Sequence, residues 1–598
     1  MPSFLLITPP LTQLNTPYPA TAQLKGYLQT QGYEVEQADL GVELVDAVYR
    51  SDFLSRCGLA EEYCRVVEPV MSFLRGEDDT LAPRIANRTL LPEGARFAQL
   101  ADMEWSFGTA GTVDKARYLA TLFVEEIADY LREHVDGHFD LIRYAEHLAN
   151  FAPEFDEIYD VLSRPATVLD EEMLRLFEAH VDAVNPDIVG FSIPFPGCLY
   201  GALRCAATLM GRARDARPLV VLGGGFPTTE WRQLNERRLF QFCDYVVLDD
   251  GELPLGRIAR RQAGEEVPLV RTYWCDGDVR YSTGDSENVP FADLPAPDFG
   301  GLPLDRYLTL ADMANPMQRL WSSGRWNKMM VAHGCYWHRC AFCDTSLDYI
   351  ARYEAPMAST VVDRMETVMA QTGVSGFHFV DEALPPKLLR DICEEIIRRR
   401  LVVSFWGNIR FEKSYTQELC DLLAEAGCVA VSGGLEVASD RLLRLMDKGV
   451  TIKQTVDVCR HFRNAGIMVH TYLMYGFPTE TLQETVNALE VVRRMFDEGI
   501  VQSAFWHRYA MTCHSPSGRN PEHYGARRTD EEPHPFCNNE VDWGLPQYPG
   551  GRDSQFPDYD IEEVGRGLRF ATYNYMNAVG LDQPLRSWFA IKVPKPTV

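Results

Sequence analysis

Between residues 328 and 507, six short apolar runs alternate with five helical stretches, and this rhythm constrains the fold more than any other feature of the 598-residue chain. The apolar runs are 328–332, 377–380, 402–406, 429–432, 468–474 and 503–507, and the helical stretches are 359–370, 387–400, 417–426, 452–465 and 482–496. Strands joined through helices lie parallel, because each connection must return to the same end of the sheet. Six such units predict a partial (βα)6 TIM-like barrel, with its active site at the carboxyl ends of the strands.

The first half carries the same rhythm with an interruption. An apolar run at 4–7 is closed by Pro9-Pro10, a helix is expected over 20–31 up to Gly32, and a second strand over 35–40. Strands return at 187–192, at 219–222 running into Gly223-Gly224-Gly225, and at 245–248 before Asp249-Asp250-Gly251-Glu252. This predicts an α/β, doubly wound, Rossmann-like domain over 1–282, whose ligand lies beyond the strand ends. Residues 42–185 have helical patterning without clear strands and read as an insertion. Residues 283–318, with Pro290, Pro295 and Pro297, read as a linker to a barrel spanning 319–511. Residues 512–598 are irregular and rich in Pro, Asn, His and aromatics, which suits a cap over the barrel mouth.

Charge limits the partners. With 58 basic against 85 acidic residues the formal charge is −27, so no basic surplus is present to neutralise nucleic-acid phosphates or an anionic membrane. No apolar stretch has the length needed to cross a bilayer. The amino terminus lacks a basic leader and reads as a first strand, so a cytoplasmic location is expected. Most of the fifteen cysteines are scattered singly and behave as small buried hydrophobes in a reducing compartment.

The exception is Cys335, Cys340 and Cys343, which cluster directly after the first barrel strand. Three thiolates at a barrel mouth suit an iron–sulfur cluster with one iron left open for a substrate or cofactor. The same residues admit a zinc site completed by His333 or His338, or simply buried thiols.

This loop, with Phe342 immediately before its last cysteine, resembles the cluster loop of the radical S-adenosylmethionine (SAM) superfamily. One departure is that four residues, not three, separate the first two cysteines. The resemblance implies a 4Fe-4S cluster on Cys335, Cys340 and Cys343, with S-adenosylmethionine on the open iron. It implies methionyl-amine contacts at Asp381 and Glu382, ribose and carboxylate contacts at Asn408 and Arg410, and further nucleotide contacts at Glu436 and Tyr475. Glu436 reads equally as a carboxylate stabilised at a helix start. The first domain resembles the cobalamin-binding domain found ahead of this barrel in one large subgroup. That likeness rests on the turn from Asn15 to Pro19, Ser192, Gly223, Gly224, Gly225 and the segment containing Gly251 and Glu252. No Asp-x-His-x-x-Gly motif is present, so histidine ligation of cobalamin's lower face is not expected.

The implied activity is reductive cleavage of S-adenosylmethionine, with methyl transfer from cobalamin to an unactivated carbon or phosphorus of a small molecule or peptide. An external donor such as flavodoxin or ferredoxin would supply electrons. Alternatives are a cobalamin-dependent radical cyclase or ring-rearranging enzyme, and a non-catalytic cobalamin sensor. Trp506, His507, Arg508 and Tyr509, at the last strand end, are candidate substrate contacts, Arg508 through its suitability for anions.

Overall fold

The structure, a computed structural model, describes residues 1–598 other than 100–110, 142–153, 285–286, 312, 314, 323, 531–533, 547–555 and 557. The amino-terminal half is built on a seven-stranded sheet in the order β2-β1-β3-β4-β5-β6-β7. Its strands are β1 (Phe4–Thr8), β2 (Val35–Asp39), β3 (Ile188–Ser192), β4 (Leu219–Gly223), β5 (Tyr245–Val247), β6 (Thr272–Asp276) and β7 (Asp278–Ser282). Strands β1 to β5 are parallel. Along β1, Phe4 and Leu6 enter the core on one face while Leu5 and Ile7 enter a second core on the other. Both faces are thus covered, as a parallel sheet requires. The order 2-1-3-4-5 reverses between β1 and β3, and a ligand crevice is expected at that switch point.

Strands β6 and β7 form an antiparallel hairpin on the β5 edge, which the sequence reading omitted. Its signal is the Asp276-Gly277 pair between two β-prone runs. Gly277 takes the positive φ of +73° that such a tight turn demands.

The insertion is helical among its described residues, from Leu40–Val48 to Val168–Val184. Phe73, Phe123 and Phe177 from its helices share one core with Leu5 and Ile7 of β1, so it packs as the second covering layer of the sheet.

The second sheet has six strands, β8 (Asn327–Met329), β9 (Gly376–Phe379), β10 (Ser404–Ile409), β11 (Cys428–Glu436), β12 (Met468–Tyr475) and β13 (Ser503–Arg508). They lie in the order β13-β12-β11-β10-β9-β8 and every pair is parallel. This is the predicted partial barrel, open between β8 and β13. Strand β8 ends before residue 332 because the Val331 and Ala332 amides turn to the Asp381 carboxylate, at 2.8–3.1 Å.

The regions around the barrel depart from expectation. In the stretch read as a linker, Tyr307 donates to Asp39 at 2.7 Å, and the Leu308 and Thr309 amides donate to the Leu14 and Leu74 carbonyls. It is a strap pinned to the first domain. The carboxyl-terminal region read as irregular contains a sixteen-residue helix, Ile561–Met576, capped by Asp560. Its buried Val564, Leu568, Ala571 and Tyr575 recur at helical spacing and join the barrel core. The tail also reaches back to the first domain, where Phe536 sits in the core beside Phe155 and Trp231. Among the described residues no helix is long and apolar enough to cross a membrane.

Candidate active site

The carboxyl ends of the two sheets face each other across a cavity of about 370 Å3. Ser192, Gly223, Gly224, Gly251 and Glu252 line it from the first domain, and Lys328, Met329, Met330, Val380 and Glu382 from the barrel. The volume is in the range of ligand sites, and Leu6 and Ser192 place it at the β1/β3 switch point. No histidine is among its lining residues.

The glycines explain how backbone comes so close to this space. Gly224 has φ +110°, and a Cβ there would meet the Ile193 backbone at 2.6–2.7 Å. Gly225 would meet the Pro194 carbonyl at 2.9 Å and stands outside the cavity lining. These residues are glycine because neighbouring chain crowds them, whereas a Cβ on Gly223 would make ordinary contact. Backbone at Gly223 and Gly224 thus forms part of the cavity wall, beside the side chains of Tyr18, Phe191 and Leu255.

The cysteine loop begins where β8 ends, with Gly334 so close to Arg352 that a Cβ would lie 1.9 Å from its carbonyl. Cys340 is buried, and Cys335 and Cys343 are half-buried. A hydrogen bond from Cys343, followed by the nearby cations Lys448 and Arg410, pulls the Cys340 thiol down to about 6. Thiolate is the ligand form, so this surround favours metal binding. Among the described residues a single trio of His, Cys, Asp or Glu groups has its ligand atoms within 4.8 Å of one another, namely Asp250, His333 and Asp348. The sulfurs of Cys335, Cys340 and Cys343 do not all lie within 4.8 Å of one another. In the acidic trio the cation position is filled by Arg352, which donates to both Asp250 and Asp348.

The other predicted residues divide by what already engages them. Asp381 holds the start of the cysteine loop, and burial pushes its carboxyl up to about 7. Arg410 stacks 4.3 Å from the Trp337 ring, pairs with Glu412 and lies 3.7 Å from Cys340 Sγ. Glu436 accepts from Lys448 Nζ at 2.6 Å, and the Lys448 ammonium lies 5.3 Å from the centre of the Phe342 ring. Tyr475 is buried beneath the carboxyl-terminal helix and accepts from Arg569 at 2.8 Å. Its neighbours Gly476 and Phe477 donate their amides to Glu480, so this segment is a braced turn. Glu382 and Asn408 remain open to cavities, Glu382 to the one between the sheets and Asn408 to a second. Glu252 lines the first cavity, and burial, then Asp250, pushes its carboxyl up to about 7.

That second cavity, of about 350 Å3, lies inside the barrel. His507 lines it, while the other three candidates from the last strand turn elsewhere. Trp506 donates to Thr572, Arg508 pairs with Glu562 and Tyr509 donates to Ser517. Sequence reasoning missed Lys328, which lines both cavities, and Trp321, Trp326 and Trp406. A lone lysine inside an apolar strand was the available signal.

Comparison with known proteins places this geometry. The family profile described as the Radical SAM superfamily matches residues 329–492. An uncharacterised methyltransferase of Pyrococcus horikoshii is 24% identical over 52% of this chain and 65% of its own length. An anaerobic magnesium-protoporphyrin IX monomethyl ester cyclase of Rubrivivax gelatinosus is 26% identical over 54% of this chain and 57% of its own. The chain thus spans under two thirds of the length of these curated relatives. Among solved structures, the radical S-adenosylmethionine methyltransferase TsrM of Kitasatospora setae, with cobalamin and a [4Fe-4S] cluster bound, has a TM-score of 0.52. It is 15% identical, with 96% of this chain and 89% of that one covered. The chain therefore carries a radical SAM domain, placed behind a Rossmann-like domain in the fold of a cobalamin-containing member of that superfamily.

Proposed function

We propose that this chain is a cobalamin-dependent radical SAM methyltransferase acting on a small molecule or peptide. The observation that carries the reading is that a cavity over the Rossmann-like strand ends adjoins a chamber inside the barrel, with Lys328 in the wall of both. Bound here, cobalamin would supply the methyl group, and a cluster on Cys335, Cys340 and Cys343 the electron that cleaves S-adenosylmethionine. The remaining work belongs to the chain. Lys448 and Arg410 offset negative charge around Cys340. Trp321, Trp326 and Trp406 give the barrel chamber an aromatic wall. Glu382 and Asn408 are the predicted nucleotide contacts still facing open space. An external flavodoxin or ferredoxin as electron source belongs to the same reading.

The test is anaerobic reconstitution with iron, sulfide and hydroxocobalamin. The enzyme should retain about one cobalamin and one cluster per chain, and Cys335→Ala, Cys340→Ala or Cys343→Ala should abolish the cluster's visible absorption. With substrate, deoxyadenosine and S-adenosylhomocysteine should both accumulate. Failure to take up cobalamin overturns the reading. Deoxyadenosine without stoichiometric S-adenosylhomocysteine favours the second reading, a radical cyclase, which the match to the Rubrivivax gelatinosus cyclase supports.

A further inference from the structure

The barrel chamber has a chemical character that says what it binds. Its wall is aromatic: His378 lies flat on Trp406 with ring centres 3.5 Å apart, and Trp321 packs within 5.8 Å of Phe505 and 6.2 Å of Trp406. Trp326 closes on Trp406 from another side at 6.2 Å. At about 30 Å3 per water, 350 Å3 corresponds to about a dozen waters, the bulk of a compound of one or two fused rings.

Besides amides, histidines and a tyrosine, the lining carries one lysine, Lys328. No Asp or Glu lines the chamber. Lys328 is buried, and its ammonium donates to Gln13 Oε1, with no carboxylate in ion-pair range among the described residues. Burial alone holds it down to about 7, so an entering anion would restore its charge. A buried lysine without a counter-charge, set in an aromatic wall, forms half of a binding site.

We propose that this chamber binds a planar aromatic carboxylate, its ring against the tryptophan faces and its carboxylate on Lys328. This deepens the methyltransferase reading, on which it rests, by naming the substrate class. Because Lys328 also borders the cavity between the sheets, an anion held there places the attached ring at the seam of the two cavities. Arg or Lys against a carboxylate and ring against ring are both stronger where water is excluded.

The test reads binding, without turnover, on the reconstituted full chain by calorimetry. Indole-3-carboxylate is the probe, with indole, tryptamine and cyclohexanecarboxylate as controls. Indole-3-carboxylate should bind at least tenfold tighter than indole, and tryptamine and cyclohexanecarboxylate should bind more weakly still. Lys328→Met should reduce indole-3-carboxylate to the affinity of indole while leaving indole itself unchanged, and Lys328→Arg should restore part of the preference. Trp406→Leu should weaken both ring compounds. Equal binding of cyclohexanecarboxylate, an unchanged affinity in Lys328→Met, or no binding of the aromatic acid at all would each overturn the proposal. S-adenosylmethionine cleavage is measured separately, so an enzyme that cleaves the nucleotide but ignores aromatic acids refutes this inference alone.

Discussion

At the scale of single residues, several carboxylates near the site hold chain together where a cofactor contact was expected. Glu480 is an example: one oxygen accepts the Gly476 and Phe477 amides and the other the Thr485 hydroxyl. Burial pushes its carboxyl up to about 7, above the ordinary value near 4.5. The folded state therefore takes up a proton on acidification before the unfolded chain does. Stability from this group rises as pH falls from about 8 towards 5, and the ionised form above pH 7 is the costly one. Glu480→Gln is neutral throughout, so wild type should gain on it by on the order of 1–3 kcal/mol over that window. Thermal midpoints of both proteins at pH 8 and pH 5.5 check this, and a gap that does not move contradicts it. Asp381 follows the same logic. A carboxylate at a strand end was visible in the sequence, but its use by the Val331 and Ala332 amides was not, since that depends on β8 and β9 being neighbours.

At the scale of elements, the carboxyl-terminal helix Ile561–Met576 covers β13 and Tyr475. Gly565 faces Tyr475 so closely that a Cβ would come within 2.2 Å of its hydroxyl. Helix propensity alone favours Gly565→Ala by about 1 kcal/mol, whereas overpacking a core contact costs roughly 1–3 kcal/mol. The variant should therefore be less stable despite the better helix former, and a raised thermal midpoint would show that the contact relaxes freely. The strands and helices of both sheets were legible because their apolar periodicity is strong. The β6–β7 hairpin was passed over although Asp276-Gly277 marks it. The helix was passed over because the tail before it has no periodicity, and its own i, i+4, i+7 pattern at Val564, Leu568 and Ala571 was not weighed. The cysteine loop at the end of β8 was legible from three cysteines after a strand. The aromatic chamber was not, because Trp321, Trp326, Trp406 and Phe505 are far apart in sequence and meet only when the barrel closes on them.

At the scale of the whole molecule, the two halves are joined at the site itself. Asp250, at the end of the last parallel strand of the first domain, accepts from Arg352 and lies 3.2 Å from His333 Nε2, two residues before Cys335. Arg352 also holds Asp348 and Glu354, and the His333 ring contacts the Arg352 carbonyl at 2.9 Å. One guanidinium thus ties the first domain to the root of the cysteine loop, and the strap at 307–309 is bonded to the first domain at Asp39, Leu14 and Leu74. Removing one partner of such a network leaves three carboxylates facing each other without their cation, a loss of roughly 1–3 kcal/mol after allowing for partial solvent screening. Arg352→Met should therefore loosen the docking of the halves around the cysteine loop, while Phe536 keeps the tail anchored in the first core. Limited proteolysis should then cut within 287–311, where the wild-type strap is held by its hydrogen bonds at 307–309, with the two pieces still joined through Phe536 in the first core. Cobalamin retention should fall with it, because that cavity has one wall from each half. Wild-type cleavage rates together with undiminished cofactor retention in the variant would show that apolar packing alone holds the halves in register.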